Sequence, residues 1–179
     1  PGERRAALVP QGVKKLVDAG FDVSVESGLG VPSGFTDTDY ADAGAKVSTD
    51  RSALLQASDV VLRVRKPAAE EIEPLKSGAL HISFLDPFNE KDLVNSLASH
   101  GVTAISMEMI PRSTRAQKMD ALSSQANLAG YVTVILAASH TPKILPMMMT
   151  PAGTIAPVRV FVIGAGVAGL QAIATAKRL

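Results

Sequence analysis

The segment Val158-Arg-Val-Phe-Val-Ile-Gly-Ala-Gly-Val-Ala-Gly169 predicts both a fold and a class of ligand. An apolar, β-branched run at 158–163 leads into Gly164-x-Gly166-x-x-Gly169, and a helical pattern follows at 170–178. A strand, a glycine turn and a helix in this order form the context that a dinucleotide fingerprint requires. Because glycine-rich βα turns without a ligand also occur, the motif favours a nucleotide site without establishing one.

The three glycines of the motif have different expected tasks. Gly164 permits a tight turn, Gly166 lets the backbone approach a pyrophosphate, and Gly169 lets the helix pack close to the strand. The free N–H groups at the start of the helix favour phosphate groups. We therefore predict nucleotide contacts at this turn.

The ends of the chain suggest a piece of a longer polypeptide. Leu179 directly follows the predicted helix, whereas a Rossmann domain needs several further βα units, and Pro1 is not an initiator methionine. We expect the second lobe to be incomplete. The acidic residue that binds the adenosine ribose, about twenty positions after such a motif, is not reached, so this criterion cannot separate NAD from NADP.

The composition is typical of a soluble globular protein. Hydrophobic residues make up 46%, charged residues 20% and aromatic residues 4%, and the formal net charge is +1. This balance argues against a nucleic-acid partner. The absence of cysteine excludes disulfides, thiolate metal sites and cysteine nucleophiles. No metal site is predicted, since Asp37, Asp39 and Asp42 lack the glycine and distal glutamate of a calcium loop and suit a helix start.

The first half of the chain alternates short helical patterns with short apolar strands. Helices are predicted at 11–19, 50–57, 67–76 and 90–99, and strands at 21–26, 59–65, 79–85 and 102–109. Such alternation predicts a parallel, doubly wound sheet with helices on both faces. The predicted fold class is therefore α/β, with a flavodoxin-like N-terminal lobe at 1–111.

The pattern then changes to a polar loop, a long helix and a linker at 112–157, before the second Rossmann-like lobe starts at 158–179. The helix, predicted at 119–140, is too apolar for a surface element, so we expect it to be buried and to join the lobes. Its serine, glutamine, asparagine and histidine side chains argue against a membrane span. We expect the proline-rich stretch 141–157 to be irregular and partly buried, with Met147, Met148 and Met149 packed between the lobes.

The polar loop offers three kinds of ligand-binding chemistry within nine residues. Arg112 can bind a phosphate in a bidentate manner. Gln117 can donate to and accept from a ribose hydroxyl, and Asp120 can accept from a nicotinamide carboxamide. Further hydroxyl groups come from Ser113, Thr114 and Ser123. Asp120 could instead be a helix N-cap, with Arg112 and Lys118 as solvated charges. Since ligands bind at the carboxyl ends of parallel strands, often between domains, we expect this loop and the glycine turn to face one ligand.

The stretch Pro111-Arg-Ser-Thr-Arg-Ala-Gln-Lys-Met-Asp-Ala-Leu-Ser-Ser-Gln-Ala-Asn-Leu-Ala-Gly-Tyr131 strongly resembles the NAD(H)-binding component of proton-translocating nicotinamide nucleotide transhydrogenases. The resemblance extends to residues 1–10, 25–30, 146–150 and 164–179. It therefore spans essentially the whole chain, and the Arg…Gln…Asp loop is its most specific part.

This resemblance implies that Arg112, Gln117 and Asp120 fold over the nicotinamide end of NAD(H) as the catalytic group. Ser123 and Tyr131 match polar positions near that site. The turn beneath the pyrophosphate corresponds to Ala165, Gly166 and Val167. The full set of expected cofactor contacts is Arg112, Ser113, Thr114, Gln117, Lys118, Met119, Asp120, Ser123, Tyr131, Gly164, Ala165, Gly166, Val167 and Gly169.

The resemblance also implies an assembly and a place in the cell. Members of the family are homodimers on the cytoplasmic or mitochondrial matrix face of a membrane. They dock against a separate domain that holds NADP(H), and both attach to a membrane domain that moves protons. Hydride then passes directly between NAD(H) and NADP(H).

Alanine dehydrogenase is the alternative family, because it shares the two-lobe architecture and the N-terminal signature. It normally carries a lysine after the strand at 60–64 and a histidine after the strand at 79–85. This chain has Arg65, with Lys66 adjacent, and Asp86 at these places. A dehydrogenase needs a general acid/base, whereas hydride transfer between two nicotinamide rings needs only positioning and exclusion of water. The substitutions favour a transhydrogenase.

Two histidines could be proposed to rescue the dehydrogenase alternative. His81 falls within a predicted strand and His100 at a helix end, so we interpret both as structural. A third alternative is a non-catalytic module that binds NADH as a signal and never transfers hydride.

Overall fold

The computed structural model describes residues 2–179, and the chain divides after Ile110 into two compact units. Six α-helices are described: α1 (Pro10–Asp18), α2 (Asp37–Asp42), α3 (Arg51–Ala57), α4 (Lys91–Ser99), α5 (Ala121–His140) and α6 (Val167–Arg178). Seven strands are described: β1 (Ser24–Glu26), β2 (Lys46–Ser48), β3 (Val60–Arg65), β4 (Leu80–Phe84), β5 (Thr103–Ser106), β6 (Met148–Thr150) and β7 (Gly153–Ile155).

All strands of the first unit pair in parallel, which confirms the α/β fold class. Strands β3, β4 and β5 form one sheet in that order, and β1 and β2 form a second sheet. The expected single sheet is thus divided in two among the residues described. Side chains connect the two parts, since Arg51 on α3 pairs with Glu26 on β1 and with Glu71, which in turn binds Arg63 on β3 at 2.7 Å.

Each sheet of the first unit has its own hydrophobic core. The core around β1 and β2 includes Val13, Val25 and the fully buried Tyr40, whose hydroxyl donates to the Leu8 carbonyl at 2.9 Å. The core around β3, β4 and β5 contains Leu55, Val61, Ile72, Leu75, Leu85, Leu97 and Val102. These positions alternate with polar residues along the strands, which is the pattern that buries one face of each element.

Local sequence signals account for several helix ends. Helix α1 is followed by Gly20 at φ +90°, as its glycine predicts. Helix α2 begins with a capping box in which Thr36 and Asp39 bind each other's backbone N–H. Asp37 accepts from Ser27 and Gly28. These contacts confirm the interpretation of the acidic cluster as a helix start.

Two predicted elements of the first unit are wrong. In place of the helix expected at 67–76 there is only a 3₁₀ turn at Ala69–Glu71, because Pro74 lacks a backbone N–H and its ring collides with the carbonyl four residues earlier. The strand expected at 102–109 ends at Ser106, and Met107–Met109 form a 3₁₀ turn.

The second unit contains α5, α6 and a short antiparallel hairpin of β6 and β7. The expectation that α5 would be buried is wrong for the residues described, since only Gly130 and Val134 are buried. The hairpin lies within the stretch expected to be irregular, and Met147, Met148 and Met149 are exposed there rather than packed. Over residues 2–179, α5 is the one helix whose length and composition would suit a membrane span, a test that helices of soluble proteins also pass.

The run at 158–163 does not form a strand. It has no ladder partner among residues 2–179, and the side chains of Phe161 and Ile163 are about nine-tenths exposed. A β-strand exists only through hydrogen bonds to a neighbour, so an apolar β-branched pattern without one stays irregular. The following helix α6 forms as expected.

Candidate functional site

The polar loop is anchored to the first turn of α5 by three of the predicted site residues. The Asp120 carboxylate caps the helix, accepting from the Ser123 backbone N–H at 2.9 Å. The Arg112 guanidinium donates to the Ser123 hydroxyl at 2.7 Å, and its Nε lies 3.5 Å from the second Asp120 oxygen. Arg112, Asp120 and Ser123 therefore form one hydrogen-bonded cluster.

Asp120 carries a negative charge in this arrangement. The hydrogen bonds from Ser123, first from its backbone, and the nearby Arg112 guanidinium hold the pKa of the Asp120 carboxyl below its usual value. An ionised carboxylate accepts hydrogen bonds only, which suits an amide or hydroxyl donor of a ligand. The N-cap alternative is therefore confirmed, and it leaves room for the ligand alternative, since one carboxylate can accept several bonds.

Removing the cap should destabilise α5. We expect Asp120→Ala to lower Tm by about 3 °C, and Asp120→Asn to lower it by much less, since asparagine is also a good N-cap. Asp50→Ala provides a matched control, because Asp50 caps α3 with a 2.9 Å bond to the Ala53 N–H. Thermal unfolding of the variants tests this expectation. An equal loss in Asp120→Asn and Asp120→Ala would show that charge, not capping, dominates.

The side chain of Gln117 projects from the same loop without taking part in the cluster. Gln117–Met119 form a 3₁₀ turn, and the Gln117 carbonyl accepts from the Asp120 N–H at 3.3 Å. Its side chain is exposed, as are those of Ser113, Thr114, Lys118 and Met119. The loop thus holds Arg112 and Asp120 in place and leaves the amide of Gln117 available to a ligand.

Tyr131 lies apart from this cluster. It follows Ser123 by eight residues on α5, which is about 12 Å along the helix axis. Its side chain is about half exposed. The structure thus does not bring Tyr131 together with Arg112 and Asp120, although it places Tyr131 beside Gly130, where α5 meets α6.

The glycine turn has the geometry that its sequence motif requires. Gly164 has φ +104°, a conformation that side chains rarely adopt. A Cβ on Gly169 would lie 2.0 Å from the Gly164 carbonyl oxygen, so only glycine allows this close approach. A Cβ on Gly166 would meet nothing within 4 Å, so the backbone there is open to a ligand.

The start of α6 offers backbone donors. Gly166 is its N-cap and has no side chain with which to bind the first N–H groups. The N–H groups in the first turn of a helix have no partner within the helix, and the helix dipole adds positive potential. Ala165 and Val167 flank this donor group. An anionic group such as a pyrophosphate fits these donors.

The first unit has an open cavity of about 400 Å³ at the carboxyl ends of its parallel strands. It is lined by Arg65, Lys66, Pro67, Ala68, Phe84, Asp86 and Glu108. Both cations are neutralised within the unit, since Arg65 pairs with Glu3 at 3.0 Å and Lys66 pairs with Glu90. A small acid entering this cavity would meet no unpaired cation among its lining residues.

The two carboxylates that line the cavity serve the backbone around it. Asp86 adopts φ +52° and accepts from the Asn89 amide at 2.9 and 3.1 Å. Glu108 accepts from the Ser106 hydroxyl and from the N–H groups of Leu85 and Asp86. Although burial raises it, these hydrogen bonds hold the pKa of Glu108 below its usual value. Glu108 is therefore ionised at neutral pH and is not a proton donor in this setting.

The two histidines considered as general acids have structural surroundings. His81 on β4 is fully buried, and burial together with the Arg63 charge lowers its pKa to about 4. His100 closes α4 and its Nε2 lies 2.8 Å from the Leu75 carbonyl oxygen. Their positions agree with the structural interpretation of both residues.

Two residues of interest were not predicted from the sequence. Glu108 follows β5 at the carboxyl end of the sheet, the same signal that drew attention to Arg65 and Asp86. Gly130 is buried against α6, and its signal is a glycine inside an otherwise strong helical pattern.

Two family models together match nearly the whole chain. The alanine dehydrogenase/PNT N-terminal domain matches residues 1–129, and the alanine dehydrogenase/PNT C-terminal domain matches residues 133–179. The boundary between them falls within α5, after the cluster of Arg112, Asp120 and Ser123.

Individual relatives give the same result. The chain is 47% identical to an NAD(P) transhydrogenase alpha subunit of Rhodospirillum rubrum, over 100% of this chain and 48% of that protein. It is similar to the crystal structure of transhydrogenase from Sinorhizobium meliloti, with TM-score 0.94, 52% identity, and coverage of 99% of this chain and 51% of that one. A solved L-alanine dehydrogenase has TM-score 0.83 and 26% identity, over 98% of this chain and 49% of that one. The chain thus spans about half the length of these relatives.

Proposed function

Because the chain belongs to the alanine dehydrogenase/PNT family, we propose that it is the NAD(H)-binding part of a proton-translocating transhydrogenase. In this proposal it passes hydride directly between NAD(H) and NADP(H), and a partner domain holds the NADP(H). It works as a homodimer on the cytoplasmic or matrix face of a membrane, attached to a domain that moves protons.

The observation that carries this proposal is the cluster at the start of α5. Arg112, Asp120 and Ser123 bind one another, and Gln117 projects from the loop that they anchor. These groups can hold a ligand, yet none of them is suited to exchange a proton at neutral pH. Hydride transfer between two nicotinamide rings requires this combination, because it changes the protonation of no oxygen or nitrogen atom.

NAD(H) supplies the hydride when bound, and the residues present fit its two charged and polar ends. The open backbone at Gly166 and the free N–H groups of α6 would hold the pyrophosphate. Asp120 would accept from the carboxamide and so orient the ring. Arg112 and Gln117 would position the ring at the surface that meets the partner.

The remaining predicted contacts are assigned by their exposure. Ser113, Thr114, Lys118 and Met119 lie in the exposed loop and could contact the nucleotide there. Gly164, Ala165, Val167 and Gly169 shape the turn at the other end. Tyr131 has the weakest support, because it lies about 12 Å from Ser123 along α5.

One assay tests the proposed function. The full-length protein is mixed with its NADP(H)-binding partner, and hydride exchange between isotopically labelled nucleotides is followed. Transfer of label from NADH to NADP⁺ is the expected result. Binding of NADH without transfer would favour a sensing module and would contradict the proposal.

The cavity of the first unit argues against alanine dehydrogenase activity. A 2-oxo acid substrate needs an unpaired cation for its carboxylate and a proton donor for its reacting group. Arg65 and Lys66 are paired with Glu3 and Glu90, and Asp86 is hydrogen-bonded to Asn89. We therefore expect no oxidation of NADH by the full-length protein when pyruvate and ammonia are added. Steady turnover in that assay would support the dehydrogenase alternative.

A further inference from the structure

A glycine lies in the middle of α5, where the two candidate nucleotide-binding elements of the second unit are joined. Gly130 is buried and faces Ala168 in the first turn of α6. A Cβ built on Gly130 would lie 2.2 Å from the Ala168 carbonyl oxygen and 3.0 Å from its carbonyl carbon. Real Cβ atoms essentially never approach below 3.0 Å. Because the obstacle is backbone, no side-chain rotation can relieve the collision.

This contact connects the glycine turn to the anchored loop. Ala168 follows the N-cap Gly166 by two residues, so it moves with the start of α6. Asp120 precedes Gly130 by ten residues on a continuous helix, about 15 Å along its axis. A helix is stiff over this length, so the crossing at Gly130 sets the separation between the loop and the turn.

We propose that Gly130 is a positioning residue, whose missing side chain sets the spacing between the loop at 112–120 and the turn at 164–169. The inference rests on the proposed function, since it concerns how the two ends of one NAD(H) are placed. Any side chain at position 130 displaces the start of α6 from α5 by about 1 Å, the shift that restores an ordinary contact distance to the Ala168 carbonyl. A misplacement of about 1 Å can slow an oriented transfer by up to about 100-fold.

The test is Gly130→Ala in the full-length protein, assayed with its NADP(H)-binding partner. We expect the hydride-transfer rate to fall about tenfold or more, and the dissociation constant for NADH to rise by a smaller factor. Alanine is a better helix former than glycine, so an unconstrained site would give a higher Tm. We expect no such rise here. Tm and NADH binding, both measured without the partner, are readouts independent of turnover.

Gly12→Ala is the matched control. Gly12 lies in α1, and a Cβ there would lie 2.7 Å from the Leu8 Cδ1 atom, the end of a flexible side chain that can rotate away. The control should keep both the rate and the NADH affinity of the wild type. If Gly130→Ala fails to fold, Val134→Leu serves instead, because Val134 is buried one turn further on the same face of α5. It should reduce the rate in the same direction by a smaller factor.

The outcomes separate this inference from the proposed function. A wild-type rate and NADH affinity in Gly130→Ala, or in Val134→Leu where that variant replaces it, would overturn the positioning role alone. A wild-type protein that transfers no hydride would contradict the proposed function, while weaker NADH binding in Gly130→Ala would still support the spacing role. Equal losses in Gly12→Ala and Gly130→Ala would show a general effect of the substitution and would also overturn the inference.

Discussion

Replacing Gln117 with asparagine should slow hydride transfer by about 100-fold while changing the affinity for NADH by less than about threefold. Asparagine keeps the amide and loses one methylene, so the group can still hydrogen-bond but no longer reaches the same point. Gln117 is exposed on a loop whose other ends are held by Arg112 and Asp120, so the loop itself should keep its shape. An interaction that orients the ring acts on the rate more than on binding.

The two quantities are measured separately. Single-turnover stopped flow with the NADP(H)-binding partner gives the transfer rate, and titration of the protein alone gives the NADH dissociation constant. Gln11→Asn is the control, because Gln11 is an exposed glutamine on α1 in the first unit. A proportional loss of rate and affinity would show that Gln117 only binds the nucleotide, and a loss of neither would remove it from the site.

A companion experiment uses the capping pair. Asp120→Ala and Asp50→Ala should cause similar losses of Tm, because both remove an N-cap. Only Asp120→Ala should weaken NADH binding, since Asp50 belongs to α3 in the first unit. Equal NADH affinity in the two variants would limit Asp120 to its capping role.

Elements that depend on local signals could be predicted from the sequence. Gly20 ends α1 and Asp50 caps α3, and both helices lie within one residue of the predicted bounds. The capping alternative for Asp120 was likewise visible, because an acidic residue preceded a long apolar run. Short-range hydrogen bonds determine all three features, so neighbouring residues contain the information.

Elements that depend on distant partners could not be predicted. The run at 158–163 has strand composition, yet a strand needs a neighbour and none lies beside it among the described residues. The apolar composition of α5 indicates that its surface suits a covering, but composition does not say what covers it, and within the residues described it stays mostly exposed. The role of Gly130 depends on where α6 crosses α5, which no local pattern encodes.

The candidate site divides along the same line. The residue types of Arg112, Gln117 and Asp120 indicated ligand chemistry from the sequence alone. The bond from Arg112 to the Ser123 hydroxyl could not be predicted, since it depends on the fold of the loop back onto the helix. The pairing of Lys66 with Glu90, which weakens the dehydrogenase alternative, also joins residues far apart in sequence.

Acidification should destabilise the protein through His81 by about 3 kcal/mol between pH 6.5 and pH 4. His81 is fully buried on β4, and burial, with the positive charge of Arg63, lowers its pKa from 6.5 to about 4, against the opposing effect of Glu71. The unfolded chain therefore takes up a proton at this residue as the pH falls below 6.5, whereas the folded chain stays neutral there until about pH 4. Below pH 4 both states are protonated and no further loss arises from this group.

The sign follows from proton binding. Between the two pKa values the unfolded state holds more protons than the folded state, so the free energy of unfolding decreases as the pH falls. At about 1.36 kcal/mol per pKa unit, the span from 6.5 to about 4 gives the stated loss. The contribution is fully present above pH 6.5.

His81→Leu should remove this part of the pH dependence. No protein group among residues 2–179 hydrogen-bonds to either ring nitrogen of His81, so the substitution breaks no such bond. We therefore expect little loss of stability at pH 7 and a stability relative to wild type that increases by about 3 kcal/mol as the pH falls to 4. Denaturant unfolding of both proteins at pH 7, 6, 5 and 4 measures the difference, and subtraction cancels the carboxylates that they share. His140→Leu, which removes an exposed histidine at the end of α5, should not reproduce the change. Parallel curves for wild type and His81→Leu would show that the buried ring does not resist protonation, and the electrostatic description of this core would then be wrong.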